Sequence, residues 1–266
     1  MKPLADFPRA ARAAIHGVLC DIDDTLSTEG RITAEAYGAM QCLQQAGLLV
    51  IPVTGRPAGW CDHIARMWPV DGVVGENGAF YFRYDKDHRK MRRHFVDDAA
   101  TRAEHRARLV QIGREIIAAV PGAAIAADQH YRETDLAIDF CEDVAPLPQA
   151  AIDEIALRME KHGLTARVSS IHVNGWFGAY DKLSMSKTLM REVFGVDLDA
   201  ACASYVFVGD SPNDAPMFGY FPHAVGVANI LDFGARVEPL PAYVSVKRCG
   251  AGFTEVADYL LAAKIS

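Results

Sequence analysis

No run of about eighteen unbroken apolar residues, the length a membrane helix needs, occurs anywhere in the chain. The opening segment, MKPLADFPRAARAAIHGV, carries Arg9 and Arg12 but has neither a long apolar stretch nor a cleavage site, so no signal peptide is expected. Cysteine is sparse and scattered: Cys20, Cys42, Cys61, Cys141, Cys202 and Cys249 form no C-x-x-C pair. That spacing points to reduced thiols in the cytosol rather than a disulfide frame or a zinc site. The histidines, His88, His94 and His105 among them, form no H-x-x-x-H pair, so no transition-metal site is expected. Positive charge is also short, with 27 Lys and Arg against 34 Asp and Glu, a net charge of −7. That balance argues against broad nucleic-acid binding but leaves room for a small anion held by the local field of a pocket. There is no internal repeat and no low-complexity tract.

What is present is an ordinary globular composition, half hydrophobic and 23% charged over 266 residues, enough for one large or two modest domains. GVLC (ending at Asp21), LLVIPVT and DGVVGENGAFYF read as buried strands. Between the first two lies the helical pattern TAEAYGAMQCLQQAG, with Thr33 as N-cap and Gly47 as stop. GRPAGWCDHIARMW follows as a helix with Pro57 in its first turn. Near-continuous apolar strands alternating with helices predict an α/β fold, a parallel sheet covered on both faces. The pattern changes near Tyr84. The charged YDKDHRKMRRH reads as an exposed hairpin tip, and a long helix then runs from about Asp98 to Val120. After it come a strand (LAIDFCE), a helix opened by Pro148 and a strand (TARVSSIHVN), which together predict an inserted α+β unit. From Tyr180 the first pattern returns: a helix at SMSKTLMREVFG, a strand at YVFVGD, a short helix at PNDAPMFGY, further strands, and a final helix.

In a parallel α/β sheet, ligands bind beyond the carboxyl ends of the strands. Asp21 and Asp23 follow the first strand, Thr54 ends the second in VTGRP, Asp210 ends a late strand in VFVGDSPND, and Lys182 stands upstream of that strand in YDKLSM. Carboxylates brought this close raise one another's pKa unless a cation neutralises them. A hard divalent ion with oxygen ligands, most naturally Mg²⁺, meets that need. One carboxylate can then attack phosphorus, a second can move the proton, and a lysine and a hydroxyl can stabilise the transferring group.

Asp21-Ile22-Asp23-Asp24-Thr25, Thr54-Gly55-Arg56, a lysine, and Gly209-Asp210-Ser211-Pro212-Asn213-Asp214, in that order, resemble the four motifs of the haloacid dehalogenase-like phosphatases. An insert between the TGR motif and the lysine resembles subfamily IIB, which includes Cof-type sugar phosphatases, sucrose-phosphate phosphatase, mannosyl-3-phosphoglycerate phosphatase and phosphomannomutase. The resemblance implies a Rossmann-like core over residues 1–84 and 178–266 and a substrate-selecting cap over 85–177. It implies Asp21 as nucleophile, Asp23 as general acid/base, and Thr54 and Lys182 as phosphoryl ligands. Mg²⁺ would lie on Asp21, the Asp23 carbonyl, Asp210 and Asp214. Lys187, five residues after Lys182, is the competing lysine. Asp24 departs from a position that is often glycine in Cof-type members.

Gly55, Arg56 and Asn213 are expected near the substrate, although Arg56 has an equally ordinary role as an ion-pair partner at a helix start. From the cap, Arg132, Ser170 and His172 are expected contacts, with Asp139, Ser169 and Asn174 as further candidates. The implied function is Mg²⁺-dependent hydrolysis of a small phosphorylated metabolite, a sugar phosphate above all. A sugar phosphomutase and a phospho-acceptor signalling module remain as alternatives, and nothing in the sequence sets the oligomeric state.

Overall fold

The computed structural model describes residues 1–264. Six parallel strands run in the order Lys2–Pro3, Tyr243–Val244, Val225–Gly226, Tyr205–Gly209, Gly17–Cys20, Leu49–Pro52. A parallel bridge between Val53 and Val74 extends the layer to Val73–Gly75, which pairs with the antiparallel hairpin Phe80–Asp85 and Lys90–Phe95. The strand Gly17–Cys20 lies between Leu49–Pro52 and Tyr205–Gly209, so the chain leaves it on one side and returns on the other. Such a switch point opens a crevice beyond the strand ends.

The strands are apolar on both faces because both are covered. Val18, Val50 and Val206 face one cluster with Phe253 and Leu260, while Leu19, Ile51 and Phe207 face the other with Met185 and Leu189. This is the two-residue alternation of a strand between two layers of helix. Helix Ala34–Gln45 is capped as expected, Thr33 accepting from Ala36 N at 3.2 Å. In helix Ala58–Met67, Pro57 stands at the N-cap rather than inside the first turn.

The insert is a four-stranded sheet in the order Thr165–Val168, His172–Trp176, Asp135–Asp139, Ala124–Ile125, with helices Ala99–Ala119 and Gln149–Lys161. Leu136, Ile138, Ala166 and Val173 pack against Leu109, Ile112, Ile116, Ile155 and Met159. Strand alternation therefore turns Asp135, Asp139, Thr165, Arg167, His172, Asn174 and Trp176 to the opposite face.

Two expectations change. TARVSSIHVN is a hairpin, not one strand, because Ser169 Oγ accepts from His172 N and donates to His172 O, both at 3.0 Å, and turns the chain. The expected boundary at 84/85 cuts a hairpin that the structure keeps whole. Phe80 and Phe82 lie in the core cluster with Phe95 packed on it, so the hairpin stays with the core and the insert starts at helix Ala99–Ala119.

Candidate active site

Asp21 leaves the end of its strand with its N–H on Val208 O at 2.9 Å, which fixes it between the two central strands. Asp210 ends the neighbouring strand, and a short turn at Pro212–Asp214 brings Asp214 back beneath it. The Asp214 Oδ2 accepts from Asp210 N at 3.1 Å, and its Oδ1 accepts from Lys182 Nζ at 2.7 Å. Lys182 sits in the first turn of helix Lys182–Phe194 and places its Nζ 3.2 Å from Asp21 Oδ1. The competing Lys187 points away: its Nζ pairs with exposed Asp199 at 2.6 Å.

Oxygens of Asp21, Asp210 and Asp214 lie within 4.8 Å of one another, all buried. Burial, with Asp214 and Asp23 adding to it, pushes the Asp21 carboxyl up to about 8 against the pull of Lys182. Burial, with Asp21, Asp214 and Asp24 adding to it, pushes Asp210 well above the ordinary carboxylate range. Lys182 is driven upward instead, because Asp21 and Asp214 outweigh its own burial. Three carboxylates against one ammonium leave an unmet negative charge, and a set of hard oxygen donors fits a hard divalent cation. Within the trio, Asp214 is the most committed to the protein itself.

Thr54, fully buried, accepts from Arg56 N at 3.0 Å, a local turn that folds the TGR segment over the strand end. Arg56 does not reach toward open space. Its Nη2 donates to Asp23 Oδ1 at 2.8 Å and to Glu142 Oε1 of the insert at 2.7 Å, and its guanidinium lies 4.5 Å from the Trp60 ring centroid. His172 Nε2 stands 2.9 Å from Glu142 Oε2 as an ion-pair contact without hydrogen-bond geometry. Burial pushes Glu142 up, but its His172 and Arg56 contacts outweigh this and hold it down at about 2. Asp24 takes a left-handed conformation, φ +54, the region glycine tolerates best. Burial pushes its carboxyl up, and Ser170 of the insert works against that rise.

Other expected cap contacts are spent inside the protein. Arg132 donates to Gly55 O at 2.9 Å, Asp135 Oδ1 at 3.0 Å and Asp128 Oδ1 at 3.1 Å, so it fastens the insert to the TGR loop and brings no free donor to the acids. Asp139 accepts from the N–H groups of Cys141, Glu142 and Asp143, shaping the loop that presents Glu142. Asn174 donates to Asp135 Oδ2 at 2.9 Å.

Several residues that matter here carried no assignment in the sequence. Thr25 Oγ1 donates to Asp210 Oδ1 at 3.0 Å, and Asn229 Nδ2 donates to Asp210 Oδ2 at 3.2 Å and to Asp24 O at 2.9 Å. Thr25 stood inside the DIDDT motif, and that was its only signal. Buried Glu76, in the ENG turn, accepts from Ala58 N at 2.9 Å, Glu133 N at 2.9 Å and Thr134 N at 2.7 Å, and from the Thr134 hydroxyl. Next to it, Gly78 adopts φ +109 and packs so closely on helix Lys182–Phe194 that a Cβ would collide with the Asp181 carbonyl.

Two clefts open beside these groups. One, of about 220 Å³, has Asn77, Arg167, Trp176, Lys182 and Asn213 in its walls. The other, of about 270 Å³, is bounded by Asp23, Asp24, Arg56 and Glu142.

A doubly covered parallel sheet with acids, a hydroxyl and an amine at its strand ends, roofed by an α+β insert, defines a Rossmann-like α/β fold with an inserted second sheet. Residues 18–107 match the family described as haloacid dehalogenase-like hydrolase. A phosphoglycolate phosphatase of Methanothrix thermoacetophila is 24% identical over 261 residues, 94% of this chain and 98% of that protein. A crystal structure from Thermoplasma acidophilum superposes with a TM-score of 0.69 at 18% identity, covering 92% of this chain and 98% of that one. The sucrose-phosphatase of Synechocystis, solved with sucrose and phosphate, does so with a TM-score of 0.61 at 15% identity, covering 92% and 98%. The chain is thus similar to haloacid dehalogenase-like hydrolases in sequence over residues 18–107, and it shares the fold of these solved structures over most of its length.

Proposed function

We propose that this protein is a Mg²⁺-dependent phosphatase that hydrolyses a small phosphorylated metabolite of the sugar-phosphate kind through a phospho-aspartate at Asp21. The observation that carries this reading is Lys182 Nζ, 3.2 Å from Asp21 Oδ1, beside a buried trio of acids that the chain's own cations do not neutralise. Asp21, Asp210, Asp214 and the Asp23 carbonyl would hold Mg²⁺, which would supply charge neutralisation for the transferring phosphoryl group. The Asp21 carboxylate attacks phosphorus and the ester oxygen leaves with a proton from Asp23. Asp23 then takes a proton from the water that cleaves the acyl phosphate, which frees phosphate and restores Asp21. Thr54, Lys182 and Asn213 hold the phosphoryl oxygens. Arg56 Nη2 is shared between Asp23 Oδ1 and Glu142 Oε1, so Glu142 competes with Asp23 for it.

A cytosolic setting agrees with the thiols, all of which are free. Among the described residues no helix is long and apolar enough to cross a membrane.

The test is phosphate release from an aryl phosphate and a panel of sugar and glycerate phosphates with Mg²⁺ present. Asp21→Asn is expected to lower turnover by at least about a thousandfold, and EDTA is expected to abolish it. Full activity in Asp21→Asn refutes the reading, and isomerised sugar phosphate in place of free phosphate makes the protein a mutase.

A further inference from the structure

The two clefts beside Asp21 and Asp23 differ in what they lack. In the cleft bounded by Asp23 and Glu142 the cation is already used: Arg56 is shared between those two carboxylates. In the cleft beside Lys182 the reverse holds. Arg167 enters from the exposed face of its strand, and its side chain makes one hydrogen bond, from Nη1 to the carbonyl of Ala166 at 2.8 Å. It pairs with no acid among the described residues. Strand alternation places Thr165 on the same face, in the same wall. Opposite, Asn77 is 3% exposed and its Nδ2 has no partner. That amide lies over the TGR segment, because a Cβ on Gly55 would come within 3.2 Å of it. The one carboxylate in this wall, Asp181, is engaged in capping its helix, accepting from Ser184 N at 2.7 Å. Lys182 is matched by Asp21 and Asp214.

The cleft thus presents a guanidinium without an acid partner and an unpartnered amide donor, and a buried donor left unpaired is costly. Its ligand must bring the acceptors. A guanidinium fork reads a planar carboxylate through two parallel hydrogen bonds. At about 220 Å³ the space falls below the roughly 300 Å³ at which drug-sized ligand pockets begin. We propose that Arg167 recognises a carboxylate on the leaving group, with Asn77 donating to the ester side, so that the preferred substrates are phosphate monoesters of small hydroxy acids, sugar acids included. This rests on the phosphatase reading above and narrows it.

The experiment compares kcat/KM for 3-phosphoglycerate and glycerol 3-phosphate, which differ only in whether the far carbon is carboxylate or alcohol, with glycerol 1,3-bisphosphate as a third arm. The wild-type enzyme is expected to favour the acid by about tenfold or more, the value of a charged hydrogen bond. In Arg167→Ala that ratio falls to near unity, mainly through KM, and Arg167→Lys retains part of it. A ratio unchanged in Arg167→Ala, or a wild-type preference for the alcohol, overturns the inference while leaving the phosphatase reading intact. A preference for the bisphosphate overturns the assignment to carboxylate. If the wild type releases no phosphate from any ester, the aryl phosphate included, the phosphatase reading fails first and takes this one with it.

Discussion

Glu76 and Asp210 are both carboxylates closed off from solvent, at 0% and 1% exposure, yet their surroundings treat them differently. Glu76 is answered by the chain: three backbone N–H groups and a hydroxyl converge on it, and two of those N–H groups come from the insert. Asp210 receives only the Thr25 hydroxyl and the Asn229 amide, and it faces two further acids instead of a cation. Both regions pay for burying charge, but one is settled by the protein alone. The other sets three buried acids against one ammonium. Buried acidity by itself therefore does not mark a site; buried acidity without matching donors does.

Four measurements press on this contrast. The largest effect is expected in the hinge. Arg132→Met strands Asp135 without its cation and leaves Asp128 only Arg56, at 3.5 Å, a change that typically costs about 3–5 kcal/mol, read by urea unfolding. Next, millimolar Mg²⁺ is expected to stabilise the wild type by about 2–3 kcal/mol if it reaches a hundredfold its dissociation constant. That gain is expected to vanish in Asp210→Asn while remaining in Arg132→Met, which separates the two regions in a single thermal-shift series.

The third concerns pH. Burial, with Asp135 adding to it, pushes Glu76 up to about 7 from an ordinary value of 4.5, against Arg132 and the Thr134 hydrogen bond. A raised carboxyl favours the protonated folded form, so its contribution to stability is full below about 4.5 and is lost as pH rises through about 7. With Mg²⁺ present to quiet the strand-end acids, Glu76→Gln is expected to flatten the fall in melting temperature between pH 5 and pH 8. An unchanged slope assigns that fall to other groups. The smallest effect belongs to Lys187→Ala, which removes a surface pair worth at most about 1 kcal/mol and is expected to leave turnover as it was.

The strand-end acids were legible in the sequence because their signal is local: each follows a short apolar run, and a parallel sheet collects such positions at one edge. Even the choice between Lys182 and Lys187 had a local cue, the Asp181 that caps the helix and places Lys182 in its first turn. The partners of Arg56 and Arg132 were not legible. Glu142 lies 86 positions from Arg56, and Gly55 O lies 77 from Arg132, so no spacing rule connects them. The hairpin hidden in TARVSSIHVN escaped for a different reason. Its turn is made by a serine hydroxyl on its own backbone, which looks like an ordinary polar residue in a strand. Polar residues predicted to meet a substrate were in several cases already satisfied, which only coordinates reveal.

The closeness of Gly78 to Asp181 has a bearing on how the enzyme can vary. Lys182 is aimed by a close fit, because the Asp181 carbonyl fills the volume where any other residue at 78 would carry a carbon atom. The fit between the ENG turn and the lysine helix is thus a machined tolerance, with no side chain between the parts to act as a shim. Drift at position 78 would shift Lys182 against Asp21 from 104 positions before that lysine in sequence, without touching either side chain.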